Sequence, residues 1–162
     1  MTRLAVSELT AAAFAPYGQV VAEPGSAEDA SGPGWRWWAE TAELPPAEPG
    51  LGIGYLALEP APAIFDWAER HMRSPETIVP LGGDCLVYVA PPEQAPALDN
   101  FAVFRVRRGQ AIVLAPGVWH GAPFATDGPM AALVLLRTGT GREDTTVVRF
   151  PDTPVEIDDA DR

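Results

Sequence analysis

The chain has 162 residues, 22 of them acidic and 11 basic, for a net charge of −11 at pH 7. This length suits one domain with its own core, and the acidic balance argues against nucleic acid or an anionic membrane as a partner, because phosphates require a basic surface. All the basic residues are arginine, so no lysine can form a Schiff base with pyridoxal phosphate or serve a nucleotide-binding phosphate loop.

The sequence shows no sign of secretion or membrane insertion. No apolar run approaches the roughly 18 residues of a membrane-spanning helix, and the N-terminus lacks the apolar stretch of a signal peptide. Cys85 is the one cysteine, so it cannot form an internal disulfide. We expect a cytoplasmic protein without a membrane partner.

The N-terminal third predicts one helix, one strand and a long irregular segment. Residues 7–18 indicate a short helix, capped by Ser7 or Thr10 and ended by proline and glycine. Residues 19–22 then predict a short strand. Residues 23–50 are rich in proline and glycine and predict a long loop, of the kind that is often functional.

From residue 51 onward, strand patterns follow one another at short intervals, separated by glycine and proline. Residues 62–70 favour a helical turn. Many short strands with little helix predict a β-sandwich or barrel. We expect a single domain over residues 1–150 and a solvated acidic tail over 151–162. The predicted strands are Ile53–Leu58, Thr77–Val79, Cys85–Ala90, Phe101–Val106, Ala111–Leu114, Met130–Arg137 and Thr145–Phe150.

Only two histidines occur in the chain, and each lies in a recognisable pattern. The first pattern is Glu69-x-His71-x4-Glu76-x6-Gly83. It resembles the first motif of the cupins, His-x-His-x(3–4)-Glu-x6-Gly, with a glutamate in place of the first histidine. The remaining three positions all match.

The second histidine ends the pattern Gly109-x6-Pro116-Gly117-x2-His120. It resembles the second cupin motif, Gly-x5-Pro-x-Gly-x2-His, with the proline shifted by one position. The 25 residues between the motifs suit the variable segment. The resemblance implies an all-β cupin, a double-stranded β-helix or jelly-roll barrel, here with a short N-terminal helix.

The motif spacing predicts a shared site. Glu69 and His71 are two residues apart, so on a strand they point to the same face. A turn of four residues should bring Glu76 back on the adjacent strand, while His120 comes from a strand that closes the barrel. Two imidazoles and a carboxylate, with a second carboxylate beside them, suit a divalent first-row metal with open positions, such as Zn, Mn, Fe or Ni.

Longer segments resemble one family of cupins, the ureidoglycolate lyases. The similarity lies within residues 4–140 and implies a carbon–nitrogen lyase of purine and allantoin degradation. Its type reaction converts ureidoglycolate, a small carboxylate, into glyoxylate and urea. The segments that carry the resemblance are Leu9–Val21, Glu69-Arg70-His71, Ile78–Gly83, Val87–Ala90 and Trp119-His120 with Pro123 close by.

The resemblance implies that the four motif side chains are the catalytic groups. His120 or Glu76 would act as the base that removes the substrate hydroxyl proton. His71 and Glu69 would be metal ligands or the acid that protonates the leaving nitrogen. A bound metal would lower the pKa of the substrate hydroxyl.

The resemblance also implies substrate-binding residues. Arg36 lies where the family carries an arginine next to an aromatic residue, and Arg137 resembles a late arginine of the family. Either would grip the substrate carboxylate in a bidentate fork. Trp119 and Trp38 would line the substrate pocket.

The chain departs from the family pattern at three places. Glu76 stands where the family has glutamine, and Ala115 and Trp38 stand where it has histidine. The pocket has therefore lost polar groups and gained a carboxylate and an indole, which affects the substrate more than the fold.

Two alternatives differ in class from a lyase. One is another metal-dependent cupin enzyme, such as an isomerase or a dioxygenase, and the other is a non-catalytic small-molecule binder. We also expect a homodimer, because the indoles of Trp35 and Trp37 lie in a segment that cannot form its own core and suit a partner surface.

Overall fold

The computed structural model describes residues 2–92 and 95–159, and in these ranges the chain is mostly strand and loop. Two single-turn helices, α1 and α2, span Ala11–Phe14 and Thr140–Glu143, and a 3-10 turn spans Leu98–Asn100. No helix in these ranges is long and apolar enough to cross a membrane. The strands are β1 Thr2–Glu8, β2 Gly18–Val21, β3 Ala30–Gly32, β4 Trp35–Trp37, β5 Leu51–Leu58, β6 Ile64–Phe65, β7 Trp67–Arg70, β8 Glu76–Leu81, β9 Cys85–Ala90, β10 Ala102–Val106, β11 Ala111–Leu114, β12 Trp119–His120, β13 Phe124–Ala125, β14 Met130–Arg137, β15 Thr146–Arg149 and β16 Val155–Asp158.

One sheet contains five antiparallel strands in the order β2-β11-β8-β14-β5. Leu133 of β14 pairs with Tyr55 on β5 and with Val79 on β8. Because alternate residues of a strand point to opposite faces, Ile53 and Tyr55 share one face, where they are 70% and 72% exposed. Ala132 points the other way and is completely buried.

The other sheet contains nine strands. Eight of them follow the order β15-β7-β12-β9-β10-β1-β16-β6, and the ninth, β13, pairs with β9. β1 runs parallel to both of its neighbours, β10 and β16. The other neighbouring strands of this sheet are antiparallel.

The main core lies between the two sheets. Val87 and Phe104 of the nine-stranded sheet pack in one buried cluster with Ile78 and Ile112 of the five-stranded sheet. Phe14 of α1 closes one side of this cluster, with its ring edge-to-face against Phe104 at 5.2 Å. Phe14 is fully buried, which explains why so short a helix holds its place.

A second cluster covers the far face of the nine-stranded sheet. Tyr88 stacks on Phe65 of β6 with ring centroids 3.8 Å apart, and Val155 of β16 is fully buried in the same cluster. β9 is therefore buried along its whole length, which is why its sequence is a continuous apolar run rather than an alternating one.

Two glycines of the second motif occupy turns that need a positive φ. Gly109 has φ 89° and Gly117 has φ 86°, in the left-handed region that glycine enters without steric cost. The Gly117 amide donates to the carbonyl of His71 at 2.6 Å. The second motif is thus joined to the first through the backbone.

The predicted all-β cupin jelly roll with a short N-terminal helix is confirmed by two sheets packed around a common core. The predicted strands Cys85–Ala90, Ala111–Leu114 and Met130–Arg137 have the observed bounds. Thr10 caps the helix, since its hydroxyl accepts from the amide of Ala13 at 3.1 Å. Ser7, the other predicted cap, lies in β1 instead.

Two local predictions are wrong. Residues 62–70 form β6 and β7 rather than a helical turn, because pairing with neighbouring strands outweighs local preference. The acidic tail, expected to be solvated, forms β16 over residues 155–158 and buries Val155 and Ile157. Residues 160–162 of that tail lie outside the described residues.

Candidate active site

The four motif side chains come from both sheets. Glu69 lies in β7, His71 follows that strand directly, and His120 of β12 pairs with Glu69. Glu76 begins β8 in the five-stranded sheet. The expectation that Glu76 lies on the strand adjacent to Glu69 is wrong, because the turn over 71–75 crosses from one sheet to the other.

The Glu76 carboxylate lies between the two imidazoles. Its Oε2 is 3.2 Å from Nε2 of His71 and 3.2 Å from Nε2 of His120. The two rings are 5.2 Å apart at 66°. One donor atom each from Glu69, His71 and His120 also lie within 4.8 Å of one another. The structure therefore brings all four side chains together.

Backbone carbonyls determine which ring nitrogen of each histidine carries a proton. Nδ1 of His71 is 2.9 Å from the carbonyl of Asp144, and Nδ1 of His120 is 3.0 Å from the carbonyl of Val118. A carbonyl oxygen only accepts hydrogen bonds, so each Nδ1 must donate. The ionised Glu76 carboxylate also only accepts, so Nε2 of each ring donates to it when that ring is cationic. A bound metal would take the place of the Nε2 protons.

The electrostatics of the cluster favour positive charge beside Glu76. Burial by itself would raise the pKa of the Glu76 carboxyl, but the charge on His120 and hydrogen bonds from both imidazoles hold that pKa at about 2. Burial by itself would lower the pKa of His71 and of His120, yet interaction with Glu76 raises both pKa values. One carboxylate therefore stabilises cationic charge on the pair.

The donor set fits a shared divalent cation. With Nδ1 protonated, two Nε2 lone pairs and a carboxylate oxygen converge, an arrangement that needs a proton or a metal ion among them. Two ligands bound about 2.1 Å from one ion lie about 3.0–3.4 Å apart at octahedral or tetrahedral angles. Both distances from Glu76 to a histidine fall in that range.

The four side chains line a cavity of about 280 Å³. The rest of its wall is mainly apolar, with the hydroxyl of Thr145 as a further polar group. A second cavity of about 270 Å³ lies beside Ser74 and Leu135, and none of the described residues that line it is ionisable. Both histidines of the chain line the first cavity, whose other lining residues are Leu56, Gly121, Ala122, Pro123, Val134, Leu136 and Gly141.

Comparison with known proteins assigns the family. The profile of the ureidoglycolate lyases matches residues 1–158. The chain belongs to the ureidoglycolate lyase family. The ureidoglycolate lyase of Azotobacter vinelandii is 32% identical over 147 residues, which cover 87% of this chain and 89% of that protein. Those of Stutzerimonas stutzeri and Pseudomonas savastanoi pv. phaseolicola are 30% and 29% identical, with 87% of this chain and 86% of each relative covered.

In this member of the ureidoglycolate lyase family, the hairpin of β3 and β4 holds Arg36 away from the cavity. The Arg36 guanidinium forms an ion pair with Glu23 and lies 5.0 Å from the ring of Trp38. The Trp38 indole donates to the carbonyl of Ser26 at 3.2 Å. Neither Arg36 nor Trp38 is among the residues that line the cavity.

Arg137 is buried but lies across the sheet from the cavity. Val134 and Leu136 of the same strand line the cavity, so alternation directs Arg137 to the other face. Its guanidinium donates to Glu143 at 3.2 Å, and its amide donates to Ser74 at 2.8 Å. In this arrangement Arg137 ties α2 to the end of β14.

Trp119 supports the site from behind. It is 2% exposed and packs in the second cluster, on the far side of the sheet from the cavity. The guanidinium of Arg70 lies over its ring at 4.5 Å, a cation–π contact. Since Arg70 precedes His71 and Trp119 precedes His120, this contact holds the two histidine-bearing segments against each other.

Sequence reasoning missed three residues around the histidines. Asp144 and Thr145 contact the His71 ring, and no motif marks them because they are far away in sequence. Gly121 must lack a side chain, since a Cβ there would lie 1.7 Å from the Tyr88 hydroxyl oxygen. Its position directly after the second motif is the one signal that could have found it.

Proposed function

We propose that this protein is a ureidoglycolate lyase that cleaves the carbon–nitrogen bond of ureidoglycolate to give glyoxylate and urea. The observation that carries the proposal is the Glu76 carboxylate held 3.2 Å from both imidazoles in a cavity, in a chain of this family. The proposal rests on a mechanism that needs one base, one acid and a cation for the carboxylate.

Proton transfer is the chemistry that the side chains supply. A base takes the proton of the substrate hydroxyl, the carbonyl forms as the carbon–nitrogen bond breaks, and an acid protonates the departing urea nitrogen. Between the two predicted bases, His120 suits the role better, because a carboxyl with a pKa of about 2 is a weak base. We assign His71 as the acid, since its pKa is raised by the hydrogen bond to Glu76.

The substrate carboxylate needs a positive charge in the cavity. No arginine lies among the described residues of the cavity wall, whereas Glu69 and Glu76 both do. An anionic substrate would be repelled unless the imidazoles are protonated or a metal is bound. The predicted roles of Arg36 and Arg137 would require their side chains to leave the ion pairs with Glu23 and Glu143.

A divalent metal, such as Zn, Mn, Fe or Ni, is the alternative form of the proposal, in which His71 and His120 serve as metal ligands through Nε2 and not as acid and base. His71, His120 and Glu76 would hold it, with Glu69 beside them. When bound, it would supply Lewis-acid polarisation of the substrate hydroxyl and positive charge for the carboxylate. Dialysis against a chelator should abolish turnover, and one divalent metal should restore it. Full activity in protein shown to be metal-free by elemental analysis would refute the metal and leave acid–base chemistry.

The direct test is a discontinuous assay of racemic ureidoglycolate with the purified protein. We expect glyoxylate and urea to form in equal amounts. Release of ammonia and carbon dioxide in place of urea would show hydrolysis instead of lysis. Absence of turnover in metal-loaded protein, together with ureidoglycolate that causes no shift in Tm, would reject this substrate.

We further propose that two copies pair through the outer face of the five-stranded sheet. Leu51, Ile53 and Tyr55 of β5 are 50%, 70% and 72% exposed there, and within the described residues β5 pairs only with β14. At side-chain areas of about 150–250 Å² and these exposed fractions, the three residues offer about 290–480 Å² per copy. Two copies therefore supply most of the roughly 1,000 Å² of a stable interface, and neighbouring residues must supply the rest. The indoles of Trp35 and Trp37, 53% and 57% exposed, offer a second apolar surface.

Two variants separate these surfaces. By analytical ultracentrifugation at micromolar concentration, the wild-type protein should sediment at twice its chain mass of 17.2 kDa. Tyr55→Arg should produce monomers, while Trp37→Ser should leave the dimer intact. The reverse result would move the interface to the hairpin, and a monomeric wild type would refute the dimer.

A further inference from the structure

Asp144, at the end of helix α2, accepts three hydrogen bonds, one from the first histidine and two from the residues that follow it. The carbonyl of Asp144 is 2.9 Å from Nδ1 of His71. The carboxylate of the same residue accepts from the amides of Met72 and Arg73, at 3.0 and 2.8 Å. Asp144 therefore holds both the ring of His71 and the backbone that follows it.

The Asp144 carboxylate holds the turn with both of its oxygens. The Asp144 side chain is 8% exposed, and its two oxygens serve two different amides in the turn that crosses between the sheets. Hydrogen bonds from backbone amides to an ionised carboxylate are stronger than those to neutral acceptors. A side chain with one oxygen, or none, would leave at least one of these amides without this partner.

Thr145 completes the arrangement around the His71 ring. Its hydroxyl donates to the carbonyl of Thr140 at 3.1 Å. The hydroxyl oxygen is also 3.3 Å from Nδ1 of His71. Because the one hydroxyl proton is already used, the His71 ring must be the donor in this second contact. Two acceptors thus surround Nδ1, and both favour a proton there.

We propose that Asp144 is a positioning residue that keeps His71 in the Nδ1-protonated tautomer with Nε2 directed at Glu76. Asp144 is absent from the cavity wall, so it acts through His71 and not on the substrate. The proposal rests on the function assigned above to His71 and Glu76, and it adds the residue that orients them. Such outer residues typically change activity or metal affinity by about 10–100-fold.

The tautomer can be read directly, since the chain contains only two histidines. Histidine labelled with ¹⁵N in both ring positions gives NMR signals from His71 and His120 alone. At a pH above the raised pKa values of both rings, which titration of the same signals reports, the wild type should keep the one remaining proton of each ring on Nδ1. Asp144→Ala keeps the backbone carbonyl but removes the carboxylate that ties it to the segment after His71, so the carbonyl should no longer be fixed beside the ring. His71 should then show a mixture of tautomers, and His120 should be unchanged.

Two further variants serve as comparisons. Glu143→Gln alters the preceding acidic residue, whose side chain is 54% exposed, and should leave both histidine spectra unchanged. Asp144→Asn keeps one amide acceptor and should lie between the wild type and Asp144→Ala. If Asp144→Ala does not fold, Asp144→Asn carries the test alone.

The expected result is a shifted His71 tautomer together with a fall in kcat of at least about tenfold and little change in KM. An unchanged His71 spectrum with wild-type kcat in folded Asp144→Ala would overturn the positioning role, even if that variant had a lower Tm. The NMR readout needs no turnover. It therefore still tests Asp144 if the wild type fails to cleave ureidoglycolate, which is a failure of the proposed function alone.

Discussion

The two sheets differ in how many of their faces are buried. The nine-stranded sheet is covered on both sides in its centre, where every residue of β9 is buried. The five-stranded sheet buries one face and exposes the other, with Ile53 and Tyr55 largely accessible. The candidate site lies where the buried faces meet, and each sheet contributes part of it.

This difference separates two uses of apolar sequence. On β9 the apolar residues hold the molecule together and support the histidine strand β12 through strand pairing. On β5 the alternate apolar residues add little to the isolated subunit, which is why we assign them to a partner. Substitutions on the two surfaces should therefore affect different properties.

The largest effect on stability should come from the core between the sheets. Phe104→Ala removes a ring that is 2% exposed and packed on Phe14 and Tyr17. We expect a loss of about 3–5 kcal/mol in the free energy of unfolding, from lost burial and the cavity that remains. Urea denaturation in the Tyr55→Arg background, which we expect to be monomeric, measures this loss. A loss below about 1 kcal/mol would show that the core repacks.

The largest effect on activity should come from the candidate site, where the buried faces of the two sheets meet. His120→Ala and Glu76→Ala each remove one side of the shared hydrogen bond. We expect kcat to fall at least about 100-fold in each, the low end of a general acid–base contribution. Circular dichroism serves as the folding control. Near-normal turnover in both variants would remove these residues from the mechanism.

The pH dependence of the free energy of unfolding should also report the ionisation of the candidate site. The pKa of Glu76 is lowered in the folded state from its ordinary 4.5, so its contribution is present above pH 4.5 and is lost as pH falls towards 2. The pKa values of His71 and His120 are raised from 6.5, so their contribution is present below pH 6.5 and is lost as pH rises through the raised values. The interaction between Glu76 and the histidines contributes to the pKa shifts of both partners, so its free energy is counted only once.

The window in which both contributions are present therefore runs from about pH 4.5 to 6.5. Glu76→Gln keeps the side-chain shape but removes the charge, and its destabilisation, about 1–3 kcal/mol, should be largest in that window. Denaturation series at several pH values measure it. A constant difference from pH 3 to 9 would contradict the assigned ionisation states, and Ile53→Ala supplies a control that should show no pH dependence.

The smallest effect on the subunit should come from the exposed face. Ile53→Ala changes a side chain that is 70% exposed, so we expect less than about 0.5 kcal/mol in a monomeric background. In the wild-type background the same change should weaken dimerisation, which sedimentation at a series of dilutions detects. Equal effects on both quantities would contradict the contrast between the two sheets.

Much of the site could be predicted because its signals are local. Glu69, His71 and Glu76 lie within eight residues, and the second histidine follows a glycine that needs a positive φ. The contacts of Asp144 and Arg137 could not be predicted in this way. They depend on segments 73 and 63 residues apart, respectively, that meet only after the sheets have formed.

By itself, the amino-acid sequence determined the all-β architecture, the strands with strong apolar patterns and the set of four side chains at the site. These features follow from residue type and from spacing between residues that are close in sequence. Only the tertiary structure decided that Glu69 and Glu76 come from opposite sheets and that residues 155–158 add a strand beside β1. It also decided that Arg36 and Arg137 point away from the cavity. These features depend on which distant strands pair and on which face each strand presents, and strand pairing is decided by burial across the whole molecule rather than by local sequence.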